Sequence, residues 1–355
     1  MTADTPLDLL ATYLRATPAP DGFTSHEIVR RSIEFDAPPR LPYSFVQPLE
    51  SDFFEVSALV SAVAGSATKP APRGEMVFDE WGTGWRSSGR LWGHAEVFPL
   101  ADLSMLDRYN FPEPVSAEQW RTLKLLAETA GKAGKYVLGA DPINFYERLR
   151  ALMGFENLMV AAYTERQRFD ALLDRLTSMT IDVIRHYDEI GGVHGFMSWD
   201  DWGLQTGLQI KPSQWREVFK PRYASIVDAC NSRGMHYFLH SCGLIWDIIP
   251  DLIEIGVDVL QFDQPRLMGV ERLANEFGGK ICFWNPVDIQ WSAQPEVTAD
   301  EARQEAIAMT RALRRSDGGF MARQYPQPDD IAMPLEKHHA IYDGFMEAGC
   351  RFEGT

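Results

Sequence analysis

His240 and Cys242 stand two residues apart at the end of the run Met235-His236-Tyr237-Phe238-Leu239-His240-Ser241-Cys242-Gly243, where an apolar stretch stops at two soft-metal ligand types and a glycine. Side chains alternate between the faces of a strand, and the turn after it lets positions two apart converge, so the pair has the spacing to share a metal ion. The pair falls short of the about three or four ligands that zinc takes, and the same residue types serve elsewhere as a buried thiol and a hydrogen-bonded imidazole. Asp200 and Asp201 follow the run Val193 to Trp199 and offer carboxylates for general acid work, with caps of turns or helices as their other use.

Groups of this kind need a scaffold that brings the ends of strands together. From about residue 130 onward, β-rich runs alternate with helical segments, as in parallel βαβ units. The runs are Tyr136 to Ala140, Val193 to Trp199, Met235 to His240, Val257 to Phe262, Ile281 to Trp284 and Gly319 to Arg323. Between them the apolar periodicity predicts helices at Ile143 to Met153, Glu165 to Ile190, Ser213 to Arg233, Ile245 to Ile255, Thr298 to Arg315 and Leu335 to Ala348. Two further runs, Leu41 to Phe45 and Glu75 to Phe78, bring the strand count to that of a (β/α)8 TIM barrel. A single α/β domain over 1–355 is expected, with 1–40 as an N-terminal helical extension and about 80–130 as an irregular insertion. The Pro- and Gly-rich stretches in the first third read as an elaborated segment over the barrel mouth.

Catalytic groups of such barrels sit at the C-terminal ends of strands, so the residues after each run form one set. It contains Asp79 and Trp81, Asp141 and Asn144, then Trp199, Asp200, Asp201 and Trp202, then His240 and Cys242. Asp263 and Gln264, Trp284 and Asn285, and Arg323, Gln324 and Tyr325 complete it. Asp79, Asp201 and His240 are the candidate catalytic residues, and His240 and Cys242 the candidate metal ligands. Trp81, Trp199, Trp202, Asp263, Gln264, Trp284 and Tyr325 are the candidate substrate contacts. Indoles beside carboxylates suit a flat organic ligand held by stacking, although each indole has core packing as its other use.

Composition narrows the partners. The chain has 355 residues, 45% hydrophobic and 24% charged, which suits a folded enzyme-sized body rather than disorder. Fifty acidic against 34 basic side chains give a net charge of -16, and no dense Lys/Arg run offers a footprint for a phosphate backbone, so nucleic acid is not an expected partner. Four widely spaced cysteines (Cys230, Cys242, Cys282, Cys350) suit a reducing compartment better than a disulfide framework. No apolar run approaches membrane length and the first residues lack a signal-peptide pattern, so a cytoplasmic location without membrane attachment is expected.

The segments Trp202-Gly203 through Ile210-Lys211-Pro212, Trp215-Arg216-Glu217 with Lys220-Pro221-Arg222-Tyr223, His240-Ser241-Cys242-Gly243, and Ile248 to Asp258 resemble the uroporphyrinogen decarboxylase superfamily, in particular its corrinoid-linked methyltransferase branch. Pro334-Leu335-Glu336 and Asp79-Glu80-Trp81-Gly82 fit the same pattern, and the resemblance spans roughly residues 25–348. It implies a (β/α)8 barrel, family members that often pair as homodimers, and one of two chemistries. In the decarboxylases, arginines of a Gly-Arg-rich N-terminal segment hold a polycarboxylate, and this chain has no such segment, since Arg30, Arg31 and Arg40 sit in another context. In the methyltransferases, a His-x-Cys pair with a later cysteine binds zinc, which activates a methyl donor or acceptor, and His240 and Cys242 match the pair. The later cysteine, in a Pro-Gly-Cys-Gly context, is absent, because the chain reads Arg323-Gln324-Tyr325-Pro326-Gln327-Pro328 there. Cys282 lies inside the preceding strand, about 6 to 7 Å below Trp284. Asp201, Glu217 or Gln324 remain as candidates to complete the site.

The resemblance thus implies a methyltransferase that moves a methyl group between a small substrate, such as a methoxylated aromatic undergoing O-demethylation, and a corrinoid on a partner protein. Zinc is the implied metal, with methylcobalamin as the partner's cofactor. The alternative is a metal-independent decarboxylase or lyase acting on a non-porphyrin substrate, with Asp79 or Asp201 as general acid.

Overall fold

The computed structural model describes residues 14–15, 17–46, 49–57, 71–89 and 93–350. Residues 1–13 of the expected N-terminal extension, and 58–70 of the expected mouth segment, lie outside them.

Eight parallel strands form the central sheet: β1 (Tyr43–Ser44), β2 (Phe53–Val56), β6 (Tyr136–Ala140), β7 (Gly195–Trp199), β10 (His236–His240), β11 (Val259–Gln261), β12 (Cys282–Asn285) and β13 (Phe320–Arg323). Their order, β1-β13-β12-β11-β10-β7-β6-β2, runs round a nearly closed (β/α)8 barrel with helices outside. The strands read as unbroken apolar runs because both faces are covered: all five residues of β6 are buried. Inward positions such as Leu138, Met197, Phe238, Val259 and Met321 fill the interior, while Val137, Phe196, Leu239 and Phe283 face the helices. The helix Ser25–Ile33 closes the N-terminal end, with Val29 and Ile33 packed into the interior core and Ser32 Oγ donating to Phe320 O at 3.0 Å.

Three sequence expectations are corrected here. The second barrel strand is β2, and the run ending at Phe78 is β3 (Met76–Phe78), which pairs antiparallel with β4 (Gly84–Arg86), itself paired with β5 (His94–Val97). Phe53–Val56 is only four residues long, three of them buried, too short to give a strong periodic signal. The stretch expected to be irregular contains this three-stranded sheet, a 3-10 helix at Leu103–Arg108 and a 16-residue helix, Ala117–Lys132, opened by a reciprocal Ser116/Gln119 capping box. The single helix expected at Ser213 to Arg233 is two, Pro212–Val218 and Lys220–Asn231, because Pro221 lacks the N–H that a continuous helix requires.

The barrel closes between β1 and β2 without a regular ladder. Asp52 N–H donates to Tyr43 O at 2.9 Å, and the buried Asp52 carboxylate is held by Arg40 at 2.6 and 2.7 Å. Thr17 Oγ1 (2.6 Å), Ser25 Oγ (2.8 Å) and Tyr43 N–H (3.0 Å) donate to the same group. Burial works against the charge on Asp52, but Arg40 and these donors hold its carboxyl below the usual range.

At the closed end a histidine cluster couples stability to pH. His26 and His194 lie with ring centroids 4.0 Å apart, His194 Nδ1 accepts from Val137 N–H at 2.9 Å, and His236 pairs with the Tyr136 hydroxyl (2.8 Å) and Glu34 (3.4 Å). Burial lowers all three histidines, His194 to about 3. An unfolded histidine titrates near 6.5, so the unfolded chain binds more protons between these values and stability falls as pH drops from 7 to 5, by about 2 kcal/mol for His194 alone. Asp258, pushed up to about 6 chiefly by burial, acts in the opposite sense and offsets part of this. His194→Asn, which keeps an acceptor for Val137, is expected to flatten the dependence of the melting temperature on pH. An unchanged slope would refute the assignment.

Candidate metal centre

Two loops carry the centre, one after β7, which contains the short antiparallel pair β8 (Gly203–Leu204) and β9 (Gly207–Leu208), and one after β10. They are stitched backbone to backbone: Asp200 N–H donates to His240 O (3.0 Å), Gly203 N–H to Cys242 O (3.1 Å) and Leu244 N–H to Leu204 O (2.7 Å). Trp202 N–H reaches Ser241 Oγ at 3.0 Å. Here the glycine of the His-Ser-Cys-Gly run has its reason. Gly243 adopts φ +76°, and a Cβ there would lie 2.3 Å from the Gly203 carbonyl carbon and oxygen; one on Gly203 would lie 2.4 Å from the Gly243 carbonyl carbon. Gly243→Ala is expected to push apart the loops bearing Asp201 and Cys242, destabilising the fold by about 1–3 kcal/mol and weakening metal binding with it. Chemical denaturation and metal titration of the variant check both effects.

Within this frame Asp201, His240 and Cys242 present ligand atoms that all lie within 4.8 Å of one another, and among the described residues they are the one such group. His240 Nε2 is 3.3 Å from Asp201 Oδ1 and 3.4 Å from Cys242 Sγ, and the Cys242 N–H donates to Asp201 Oδ1 at 2.9 Å. His240 Nδ1 bonds to Gln261 Oε1 on the neighbouring strand, and Gln261 Nε2 donates to Asp263 Oδ1 at 2.8 Å. A carboxamide oxygen only accepts, so Nδ1 carries the proton and Nε2 of the neutral ring is left as a ligand atom.

The electrostatics agree with a cation site. Burial would lower His240, yet Asp201 and Cys242 hold it well above its ordinary value. Burial would raise Asp201, but His240 and the Cys242 N–H hold it below the usual carboxylate range. Burial pushes the Cys242 thiol up while His240 pulls it down. Asp201 and Cys242 thus favour positive charge at the His240 Nε2 position, the place a divalent cation would take.

The neighbouring carboxylate has a different task. Asp200 is fully buried and accepts from Tyr146 N–H (2.8 Å), Glu147 N–H (3.1 Å) and the Tyr223 hydroxyl (2.6 Å), capping the helix Phe145–Met153 from outside its own segment. Burial and the charges of Asp141 and Glu147 push it up to about 7. Adjacent aspartates therefore divide the work, one capping and one facing the mouth.

The remaining sequence candidates separate in the same way. Trp199 is half-buried at the end of β7 against the interior core, and Tyr325 is half-buried two residues past β13; burial and the charges of Asp263, Asp330 and Cys242 push the Tyr325 hydroxyl up to about 12. Asp263 braces Gln261, and Gln264 accepts from Gln205 at 3.2 Å. Trp202 is fully buried, stacked on Tyr146 at 3.6 Å with its Nε1–H on the Tyr223 hydroxyl, and Trp284 is fully buried in the barrel interior against Phe53. Both indoles are thus core rather than contact surface. Trp81 is buried beneath Arg148, whose guanidinium lies 4.5 Å from its ring. Asp79 lies in the β3–β4 turn rather than after a barrel strand. Both of its oxygens are engaged, by Trp81 and Thr83 N–H groups, Trp85 Nε1–H and Arg148.

Of the candidates for a third ligand, Glu217 pairs with Arg166 at 2.7 Å, and Gln324 is tied to Val46 N–H and His338 O. Cys282 is buried in the interior core below Trp284. Asp201 is the one that meets the pair. Gln261, Glu147 and Arg150, all close to Asp201 or His240, were not singled out from sequence. Strand parity could have found Gln261, since it is the cross-strand neighbour of His240.

Residues 149–284 match the family model of uroporphyrinogen decarboxylase, the segment that holds all three candidate ligands. In structure the chain is similar to a methyltransferase from Methanosarcina mazei, with a TM-score of 0.63 and 15% identity over 92% of this chain and 99% of that one. At that identity the likeness is one of fold. A D-psicose 3-epimerase from Clostridium cellulolyticum H10 aligns over 69% of this chain and 86% of its own, with a TM-score of 0.38 and 9% identity. No curated protein matches by sequence. Over residues 149–284 the chain is thus similar to uroporphyrinogen decarboxylase, and its barrel is similar in fold to that of a methyltransferase. Among the described residues no helix is long and apolar enough to cross a membrane.

Proposed function

We propose that this chain is a metal-assisted methyltransferase that moves a methyl group between a small substrate held in the barrel mouth and a corrinoid carried by a separate protein. The convergence of Asp201, His240 and Cys242 at the C-terminal strand ends is the observation that carries this reading. An oxygen, a nitrogen and a sulfur donor on two stitched loops suit zinc, which commonly keeps about three protein ligands and an open position in catalytic sites. Zinc so held would supply Lewis acidity toward the oxygen or sulfur of the substrate that loses or gains the methyl group.

The chain's own residues do the rest. Gln261, braced by Asp263, orients His240 and keeps its proton on Nδ1. The Cys242 N–H holds Asp201 by Oδ1, the oxygen that also lies 3.3 Å from His240 Nε2, and so fixes the carboxylate beside the imidazole. Trp199 and Tyr325 provide aromatic surface for a flat organic body.

Incubation with a methylated corrinoid protein and a panel of phenols and thiols, and in reverse with methoxyarenes, is expected to show methyl exchange that a chelator abolishes. No exchange across the panel would refute the proposal. Decarboxylation that persists in a metal-free protein would instead support the lyase alternative, with Asp201 as the acid.

A further inference from the structure

The metal centre leaves one cation in the mouth without a task. Arg323 ends β13, on the same inward face as Met321, and is only 9% exposed. Its guanidinium stacks 4.3 Å from the Trp284 ring, and among the described residues neither its buried Nε nor the buried Trp284 Nε1 has a hydrogen-bond acceptor. Its nearest carboxylate is Glu55 on β2, at 3.9 Å and 42% exposed, beyond hydrogen-bonding distance. Arg40 shows how this chain satisfies a buried guanidinium: it donates to Asp52, Thr17 Oγ1, Leu41 O and Pro18 O. Leaving the buried Arg323 Nε–H without such an acceptor is costly, and a bound anion would remove the cost.

The position of Arg323 favours a substrate role over a purely structural one. β13 stands three strands round the wall from β10, which places Arg323 across the mouth from His240. Tyr325, two residues on, feels the charges of both Arg323 and Cys242. Glu55 already stands 3.9 Å from the Arg323 guanidinium, so a singly charged group fits better than a dianion. A guanidinium fork matches a planar carboxylate in two parallel hydrogen bonds.

We infer that Arg323 anchors the substrate by a carboxylate, so that the methyl donor or acceptor of this site is a small organic acid whose far end reaches the Asp201–His240–Cys242 side. This rests on the reading of the barrel mouth as the substrate site, and it adds a specificity-determining residue to that reading.

The test is binding alone, without corrinoid or methyl transfer, so that it can fail separately from the proposed reaction. Benzoate, 4-methoxybenzoate and phenylacetate are compared with their amides and with phenyl phosphate by calorimetry on the full chain. The acids are expected to bind about tenfold or more tighter than the amides, as a charge-assisted hydrogen-bond pair would give. Arg323→Gln should erase that preference, Arg323→Lys should retain part of it, and Glu55→Gln should tighten binding of the acids. If Arg323→Gln does not fold, the lysine and Glu55 variants carry the test. Acids binding no tighter than amides, tighter binding of phenyl phosphate, a preference indifferent to position 323, or no binding of any acid at millimolar concentration would each overturn the inference.

Discussion

Replacing Cys242 by serine, or His240 by alanine, is expected to lower bound zinc from about one per chain to a small fraction and to reduce methyl transfer by about a hundredfold or more, because a site with about three protein ligands cannot lose one and keep its metal. The two variants should behave alike although one removes sulfur and the other nitrogen, since both donors face the same point. Asp201→Ala should follow them. It also removes the acceptor of the Cys242 N–H, so its loop should loosen as well. Gln261→Leu supplies a graded control: it leaves every ligand in place but frees His240 Nδ1, and the expected loss in metal affinity is about 10–100-fold. Metal analysis after dialysis, paired with initial rates, reads the whole series. Full zinc content in either Cys242→Ser or His240→Ala would contradict the ligand assignment.

Asp52→Ala is expected to cost about 3–5 kcal/mol of stability, the largest effect of any single change away from the mouth. The substitution strands the Arg40 guanidinium, 1% exposed, in a site where Thr17, Ser25 and Tyr43 lose their shared acceptor. It does so where β1 and β2 meet without a regular ladder, so few strand hydrogen bonds across the seam share the load. Asp52→Asn should be nearly as costly, because the shape survives but the charge that balances Arg40 does not. The double variant Arg40→Met with Asp52→Leu should lose less than the sum of the single changes. Urea unfolding of these variants, together with the single changes Arg40→Met and Asp52→Leu, gives the values, and a loss under about 1 kcal/mol for Asp52→Ala would show that the seam is held by something else.

The barrel was legible where its strands are buried on both faces. Tyr136 to Ala140 is read from sequence with the bounds it has in the structure, and the five later strands shift by a residue or two at their ends. The early strands were harder for a physical reason. Tyr43–Ser44 and Phe53–Val56 are held by side chains such as Arg40 and Asp52 as much as by ladders, and a periodic reading of apolar residues does not register an ion pair. Met76–Phe78 has the apolar run of a strand, but it pairs only within a hairpin sheet. Of the indoles near strand ends, one-dimensional reading could not separate Trp199, which stays half-buried at the end of β7, from Trp202, which the next residues turn back into the helix layer against Tyr146 and Tyr223.

The centre itself was half legible. His240 and Cys242 declare themselves by type and spacing, whereas Asp201 joins them only because two glycines let two loops touch backbone to backbone. That contact joins residues about forty positions apart, and nothing in either segment alone announces it. Gln261 escaped for a similar reason: its role is to face His240 across a strand pair.

Zinc K-edge absorption on the purified, zinc-loaded protein tests the central claim most directly. The account predicts one sulfur at about 2.3 Å with nitrogen and oxygen donors at about 2.0–2.2 Å, and loss of the sulfur shell in Cys242→Ser. A protein that retains no zinc after dialysis, or a zinc shell without sulfur in the unaltered chain, would contradict it.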